Sequence, residues 1–343
     1  PLEVDYPAAE RDAHRALQEY AASLLARNRE AGLGLAAEFV LKLLKKRLFS
    51  SPEVFRTTLA KHTAWIGKQR RDQGAPAVAL RALERQTDEL DEDYADDERY
   101  ESTSGEVVES ASQLLPGPTA AEREHLRALQ AYAADAVNRP DARARRLIEF
   151  LRETVRPGGR WGDERVIVFT EYRATQKWLM DQLAPAGLAG PGRLMLLYGG
   201  MPTDDRERIK AAFQGGPDVS EVRILLATDA ASEGIDLQNH CHRLVHYEIP
   251  WNPIRLEQRN GRVDRRGQKQ DVLVYHFVGA GYEQGREDPS RPPGELEGDL
   301  EFLARAVEKV ERIRHDLGKV GPVIARQVEE AMLGGRRRLD PRA

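Results

Sequence analysis

A dense cluster of arginines occupies residues 257–268, whose sequence is EQRNGRVDRRGQ. Four arginines stand there among two glycines and two glutamines. On a helix, residues three or four apart share one face, so Arg259, Arg262 and Arg266 would form one stripe with Arg265 beside it. A guanidinium group is planar and permanently charged, which suits phosphate oxygens and the charge that develops on a transferring phosphoryl group. The cluster therefore predicts an anion-binding site.

A surface helix with many salt bridges is the structural alternative for this segment. The acids Glu257 and Asp264 are available for such pairs, but two acids cannot neutralise four arginines. A glycine in a helix interior costs roughly 1 kcal/mol relative to alanine, so Gly261 is unfavourable in a purely structural helix. We therefore favour the functional interpretation.

The composition limits what such a site can belong to. The chain has 343 residues, 41% of them hydrophobic, and a formal net charge of -4, which predicts a globular protein of two or three domains with a local basic patch. The single cysteine, Cys241, excludes a disulfide framework and a cysteine-based zinc site. Because the sequence lacks a spanning apolar run and a leader peptide, we expect a cytoplasmic location and no membrane partner. The chain starts at Pro1 without Met, which indicates a piece of a longer protein.

From Trp161 onward, short apolar runs alternate with helical patterns. The runs are continuously apolar, as expected for strands that are covered on both faces. This alternation predicts an α/β fold with a parallel sheet and helices on both faces. In such sheets, function collects in the loops beyond the carboxyl ends of the strands. The loops selected by that rule are Thr170–Glu171, Gly199–Gly200, Thr228–Asp236 and the segment after Pro250.

The first part of the chain has apolar residues at helical spacing. Ser51 and Pro52 predict the N-cap and the first position of one helix, and further helices are expected near Thr119–Val137 and Asp141–Val155. Between Thr87 and Glu109, eleven acids face one arginine, which predicts a mobile acidic loop.

A basic run lies in this helical part. A solvated polar face is the favoured interpretation of the run, and a nucleic-acid contact is the alternative. Its members are Lys42, Lys45, Lys46 and Arg47.

The chain is thereby divided into three parts. Residues 1–140 are a helical protrusion with a mobile acidic loop at about 87–118, residues 141–283 are an α/β lobe, and residues 284–343 are a C-terminal linker and helix.

The stretch LLATDAASEGIDL also carries polar residues where packing alone asks for none. Gly234 permits a close approach of the backbone, and Asp236 is an acceptor suited to a ribose hydroxyl. The alternative is a capped turn into a helix, with Thr228 or Asp229 as the N-cap. Taken alone, this stretch does not decide between the two.

Taken together, these stretches resemble the second RecA-like lobe of superfamily-two helicases and translocases, and particularly the Swi/Snf-like branch. ATDAASEGIDL is similar to the fifth motif of that family and QRNGRVDRRGQ to the sixth, while IPWNP and VLVYHFV match the segments that flank the sixth. VIVFTEY resembles the fourth motif. At the position of Gly261, the chromatin remodellers of this family usually have an acid. In this respect the sequence is more similar to the bacterial members that recycle RNA polymerase or act in phage defence.

The resemblance implies roles at the nucleotide. Arg262 and Arg265 would reach across to the ATP phosphates as catalytic arginine fingers, with Gln258 placing their helix. Gly234 and Asp236 would line the nucleotide side of the cleft.

The resemblance also implies a track of contacts to a nucleic-acid backbone. Such contacts position the protein without reading base sequence. The residues implied are Thr170, Gly199, Gly200 and Thr228.

The sequence lacks the phosphate-cradling loop G-x-x-x-x-G-K-[ST]. The resemblance therefore implies that ATP and Mg²⁺ are held mainly by a first lobe that is absent from this chain, and that this chain alone is inactive. The partners implied are that first lobe, double-stranded DNA, and proteins that contact the helical protrusion.

Two other functions stay open. One is an inert module that docks nucleic acid or protein, although arginine fingers would have no use there. The other is a strand-separating RNA helicase, whose fifth motif normally carries arginine where Glu233 stands. No metal site is assigned, because the histidines around Cys241 fall on one apolar strand without a second cluster.

Overall fold

A computed structural model describes most of the chain. The described residues are 1–68, 81–83, 85, 96–232, 235–282, 296–317 and 322–333. The chain divides into two compact units, one formed by Pro7–Arg139 and the other by Pro1–Tyr6 with Pro140–Ala343.

The first unit is helical in its described residues. Ser51 caps α3 by accepting a hydrogen bond from the Val54 N–H at 3.4 Å, with Pro52 at the first position, as the sequence predicts. Thr119 and Glu122 form a capping box at the start of α5. The helices are α1 Ala8–Glu30, α2 Gly34–Leu48, α3 Pro52–Trp65, α4 Asp97–Leu114 and α5 Ala120–Ala136.

The predicted acidic loop is wrong for residues 97–114, which form α4. Val107, Val108 and Ala111 recur on one face of this helix and are fully buried. Asp96 caps its start by accepting from the N–H groups of two following residues. Part of the predicted loop, residues 87–95, lies outside the described residues.

The basic run on α2 is not a solvated face throughout. Arg47 is buried and donates hydrogen bonds at 2.5 Å to the hydroxyls of Thr58 and Ser104. Lys45 is buried as well, whereas Lys42 and Lys46 are partly exposed. Arg47 therefore joins α2 to α3 and α4 as a core side chain.

The second unit contains a six-stranded sheet in the order β1-β6-β5-β2-β4-β3. Every recorded pairing is parallel, which confirms the α/β fold class that the apolar runs predict. The strands β2 and β4, neighbours in the interior of the sheet, are buried along their whole length. The strands are β1 Leu2–Val4, β2 Val166–Thr170, β3 Leu194–Leu197, β4 Ile224–Thr228, β5 Arg243–His246 and β6 Leu273–Gly279.

Helices connect the strands of this unit. Ile209 and Phe213 of α8 pack with the strand residues Ile167, Leu225 and Leu244 in one buried cluster. The helices are α6 Ala142–Val155, α7 Arg173–Leu183, α8 Thr203–Gln214, α9 Asp229–Ser232, α10 Pro253–Asn260, α11 Leu296–Leu317 and α12 Pro322–Met332, with a short 3₁₀ turn at Pro157–Gly159.

The edge strand β1 was not anticipated from the sequence, which assigned residues 1–140 to the helical protrusion. Leu2 and Val4 are buried, and the strand pairs with β6. Residues 1–6 thus belong to the sheet unit. Within the described residues, no helix is long and apolar enough to cross a membrane.

Candidate functional site

Three loops that the sequence selects leave the same edge of the sheet. Thr170 at the end of β2 is paired in register with Thr228 at the end of β4, and Leu197 at the end of β3 is paired with Ala227. Because the strands are parallel, their carboxyl ends lie side by side. The parallel register of the strands therefore brings Thr170, Gly199–Gly200 and Thr228 to one edge of the sheet.

The arginine cluster is not one helix. Helix α10 ends at Asn260, whose carbonyl accepts from the N–H groups of Val263 and Asp264. Arg259 lies on the helix, whereas Arg262 lies in the turn that follows. The predicted stripe of Arg259, Arg262 and Arg266 is therefore wrong. We call residues 261–267 the arginine turn.

Arg259 is completely buried, with 0% of its surface exposed. Its Nε and Nη2 atoms donate to the two carboxylate oxygens of Asp229 at 2.5 and 3.0 Å, and its Nη1 donates to the carbonyl of Glu248 at 3.0 Å. This two-bond pairing uses the fork of the guanidinium on a carboxylate of the same protein. Arg259 therefore ties α10 to the segments after β4 and β5, and it is not accessible to a phosphate.

Arg265 is accessible. Its Nη1 pairs with a carboxylate oxygen of Asp236, and the two side chains are 46% and 49% exposed. An ion pair so exposed to water stabilises the fold little, so an incoming anion can compete with Asp236 for the guanidinium. Asp236 and Arg265 were both assigned to the nucleotide side from the sequence, and the structure places them in contact.

The other residues assigned to the nucleotide are Arg262, Gln258 and Gly234. Arg262 is partly buried, and its carbonyl accepts from the Leu237 N–H at 3.0 Å, which joins the arginine turn to the segment after Asp236. Gln258 lies on α10 with an exposed side chain. Gly234 lies outside the described residues.

Gln268 closes the arginine turn, a role that the sequence did not suggest. Its Nε2 donates to the carbonyls of Gln238, Cys241 and Val263 at 3.3, 2.9 and 3.2 Å. Its Oε1 accepts from the next two backbone N–H groups. One amide side chain therefore holds both ends of the turn against the chain that precedes β5.

The threonines of the predicted nucleic-acid track have buried side chains. Thr170 and Thr228 are each 0% exposed. The Thr170 hydroxyl donates to Oε1 of Glu248 at 2.8 Å, and the Glu171 N–H donates to the same oxygen. Gly199 is buried, whereas Gly200 is exposed and has a φ of 80°, a backbone conformation that side chains disfavour.

Glu248 is the most unusual ionisable group at this edge, and the sequence analysis did not select it. It is 6% exposed. Burial raises the pKa of its carboxyl group to about 7, although Arg259 and the hydrogen bonds from Glu171 and Thr170 act in the opposite direction. A glutamate directly after an apolar strand, in HYEIP, was the available signal.

Two polar residues at the start of α7 support the loop after β3, and they were also missed. Gln176 donates to the carbonyls of Leu197 and Leu226 at 2.9 and 2.7 Å. The guanidinium of Arg173 lies 3.5 Å from the centre of the Tyr198 ring, next to Gly199. These contacts fix the ends of β3 and β4 relative to the helix that follows β2.

The histidines around Cys241 do not form a metal site among the described residues. Cys241 is buried, and its thiol lies 3.4 Å from the carbonyls of Arg165 and Arg243. His246 stacks on His276 with ring centres 4.9 Å apart. Burial lowers the pKa of both imidazoles, that of His276 to about 4. Neutral stacked rings are part of the core between β5 and β6.

A parallel sheet with polar and glycine residues in the loops at its carboxyl edge is the arrangement in which α/β domains bind ligands such as nucleotides. Comparison with known proteins shows which protein family this part of the chain resembles. Residues 146–267 match the family described as Helicase conserved C-terminal domain.

Two curated relatives cover the same region. The uncharacterized ATP-dependent helicase YqhH of Bacillus subtilis is 43% identical over 116 residues, which are 34% of this chain and 19% of that protein. The RNA polymerase-associated protein RapA of Sodalis glossinidius is 31% identical over 136 residues, which are 39% of this chain and 13% of that protein. The chain thus spans a fifth or less of the length of these relatives.

Among solved structures, the C-terminal part of the Fun30 ATPase domain covers 96% of each chain at 13% identity, with a TM-score of 0.45. That value is too low to assign anything further. Residues 146–267 are thus similar to the helicase C-terminal domain family, and the relatives support the expected likeness to the second lobe of Swi/Snf-like superfamily-two proteins.

Proposed function

We propose that this chain is the C-terminal motor lobe of an ATP-dependent translocase that moves on double-stranded DNA. The observation that carries the proposal is the accessible Arg265 of the arginine turn, which pairs with the half-exposed Asp236 in the segment that follows β4. An inert docking module would gain nothing from an exposed arginine in a turn braced by Gln268.

Arg262 and Arg265 are the residues that would act on the nucleotide. Arg265 fits a phosphate because its present partner, Asp236, is half exposed and can be replaced by a stronger anion. ATP would supply the phosphoryl group that is transferred, and the arginines would stabilise the charge that develops on it. Gln258, Gly234 and Asp236 would complete this side of the cleft. A first lobe would hold most of the ATP and Mg²⁺ contacts.

Nucleic acid would bind along the loops at the carboxyl edge of the sheet. Gly200 is exposed there and leaves its backbone open to a phosphate group. Gly199 and the buried Thr170 and Thr228 would shape this track from beneath, with contacts made by the main chain that follows them. Contacts of this kind carry no base information, so binding should be independent of sequence.

ATPase assays of the full-length protein test the proposal. Turnover should rise more with duplex DNA than with single-stranded DNA or RNA of equal length. Preferential stimulation by RNA would favour a strand-separating RNA helicase, and turnover that is insensitive to all three would contradict the proposal.

Duplex binding gives a second readout of the same proposal. The logarithm of the binding constant should fall by roughly 0.9 per logarithmic unit of salt for each phosphate neutralised. Two unrelated duplexes of the same length should give the same slope, whereas a strong preference for one sequence would exclude backbone recognition.

A further inference from the structure

Glu248 joins two parts of the proposed site. Its carboxylate accepts hydrogen bonds from the Thr170 hydroxyl and the Glu171 N–H at the end of β2. Its backbone carbonyl accepts from Arg259, the last arginine before the arginine turn. Glu248 therefore contacts the end of β2 through its side chain, and through its main chain it contacts the helix that leads into the arginine turn.

The connection continues through Arg259. The carbonyl of Arg259 accepts from the Arg262 N–H at 3.1 Å, and the carbonyl of Arg262 accepts from the Leu237 N–H, next to Asp236. Asn260 adds a second anchor, because its Oδ1 lies 2.9 Å from Nε2 of His246 on β5. A shift at the end of β2 would therefore be transmitted to the arginine turn through packed and hydrogen-bonded groups.

Burial decides what kind of role Glu248 can have. With 6% of its surface exposed, it does not reach nucleic acid or a nucleotide itself. Keeping a carboxylate in such a place is costly unless its hydrogen bonds are satisfied, so a purely structural site is better served by an apolar residue. Burial raises the pKa of this carboxyl group, which reflects that cost.

We propose that Glu248 is a positioning residue that couples nucleic-acid binding at the β2 edge to the placement of Arg262 and Arg265. This inference rests on the proposed function and adds to it the route by which a bound duplex stimulates turnover. The coupling is carried by the hydrogen bonds of the side chain, with Arg259 as the intermediate.

The test measures the ratio of duplex-stimulated to basal ATPase rates in the full-length protein. Glu248→Ala removes both acceptor contacts, and should lower this ratio about tenfold, within the range found for mutations along coupling networks. Glu248→Gln keeps an oxygen that can accept from Thr170 and Glu171, and should retain the ratio within about threefold of the wild type. The duplex Kd of both variants should stay close to the wild-type value.

Glu164→Ala is the matched control. Glu164 pairs with Arg243 at the opposite end of the strands, 2.9 Å away, so its loss should leave the ratio unaltered. Should Glu248→Ala fail to fold, Thr170→Val removes only the donating hydroxyl and should lower the ratio in the same direction.

The possible results separate the two proposals. A wild-type protein without nucleic-acid stimulation would overturn both the proposed function and the coupling. A stimulated wild type whose Glu248→Ala variant is stimulated equally would overturn the coupling alone. So would equal losses of basal and stimulated rates in Glu248→Ala that Glu248→Gln does not restore, since a merely structural role predicts that pattern.

Discussion

Arg259 and Asp229 form a buried two-bond ion pair that fastens the end of α10 to the segment after β4. A second arginine of the helix, Arg255, lies 4.0 Å from the same carboxylate and 3.8 Å from Glu171. Of the four arginines in the cluster, Arg259 is thus committed to the fold, which leaves chemistry to the arginine turn.

Loss of Arg259 should destabilise the sheet unit. Arg259→Ala would leave Asp229 without its main partner, and breaking a buried pair from one side costs about 3–5 kcal/mol. Urea unfolding followed by circular dichroism would measure the change. Arg266→Ala, at an exposed arginine of the arginine turn, should change stability by less than about 0.5 kcal/mol. Equal effects of the two substitutions would show that the ion pair does not stabilise the fold.

Arg265→Ala should abolish turnover in the full-length protein while ATP binding is largely retained. An arginine finger acts on charge in the transition state, so a loss of about 10³-fold or more in rate is expected. Steady-state kinetics and nucleotide binding would be measured in parallel, with Arg266→Ala as the control. A normal kcat with a raised KM would instead assign Arg265 to binding of the ground state.

The chain alone should not hydrolyse ATP. Its sequence lacks the loop that holds the β- and γ-phosphates, and arginines cannot orient a water molecule by themselves. Phosphate release by the purified chain, with and without duplex DNA, is the measurement. Turnover that duplex DNA stimulates and that Arg265→Ala leaves unchanged would contradict the assignment of the site.

Glu248 should give the stability a distinct pH dependence. Its pKa in the folded protein is about 7, raised from 4.5, so the folded state holds a proton that the unfolded state has released. The contribution of Glu248 to the free energy of unfolding is therefore complete below about pH 4.5 and is lost as the pH rises through 7. Of the two charged groups that face it, Arg259 and Glu171, the guanidinium of Arg259 stays protonated over this range because its pKa is raised.

Glu248→Gln should remove that dependence, since the amide does not ionise. As the pH rises from 5 to 8, the free energy of unfolding of the wild type should therefore fall relative to that of the variant, by up to roughly 3 kcal/mol. Unfolding curves at both pH values would measure it. Parallel changes in the two proteins would show that Glu248 titrates with an ordinary pKa.

The sequence predicted the sheet because most of its strands are continuous apolar runs that alternate with helical patterns. Leu2–Val4 is too short to show a period, and its place beside β6 depends on contacts with residues more than 270 positions away, such as Phe277. Asp97–Leu114 was misread because its charge outweighed the apolar face formed by Val107, Val108 and Ala111.

The sequence predicted where the candidate site lies, but it did not predict most of the side-chain contacts within it. Spacing indicated that the arginines matter, but it could not show that α10 stops before Gly261 or that Arg259 pairs with a residue 30 positions earlier. Glu248 was missed for a related reason, since its partners lie on β2, 78 positions away. Side-chain partners across a sheet are set by the fold, which local patterns do not encode.

Gln268 fixes the shape of the arginine turn in the folded chain. Because the Gln268 side chain already contacts three carbonyls there, the entropy cost of ordering this turn is met before a first lobe binds. Closure of two lobes around a nucleotide would then be a docking of preformed surfaces. Its heat-capacity change should reflect the apolar area that becomes covered, without a contribution from a loop that folds on contact.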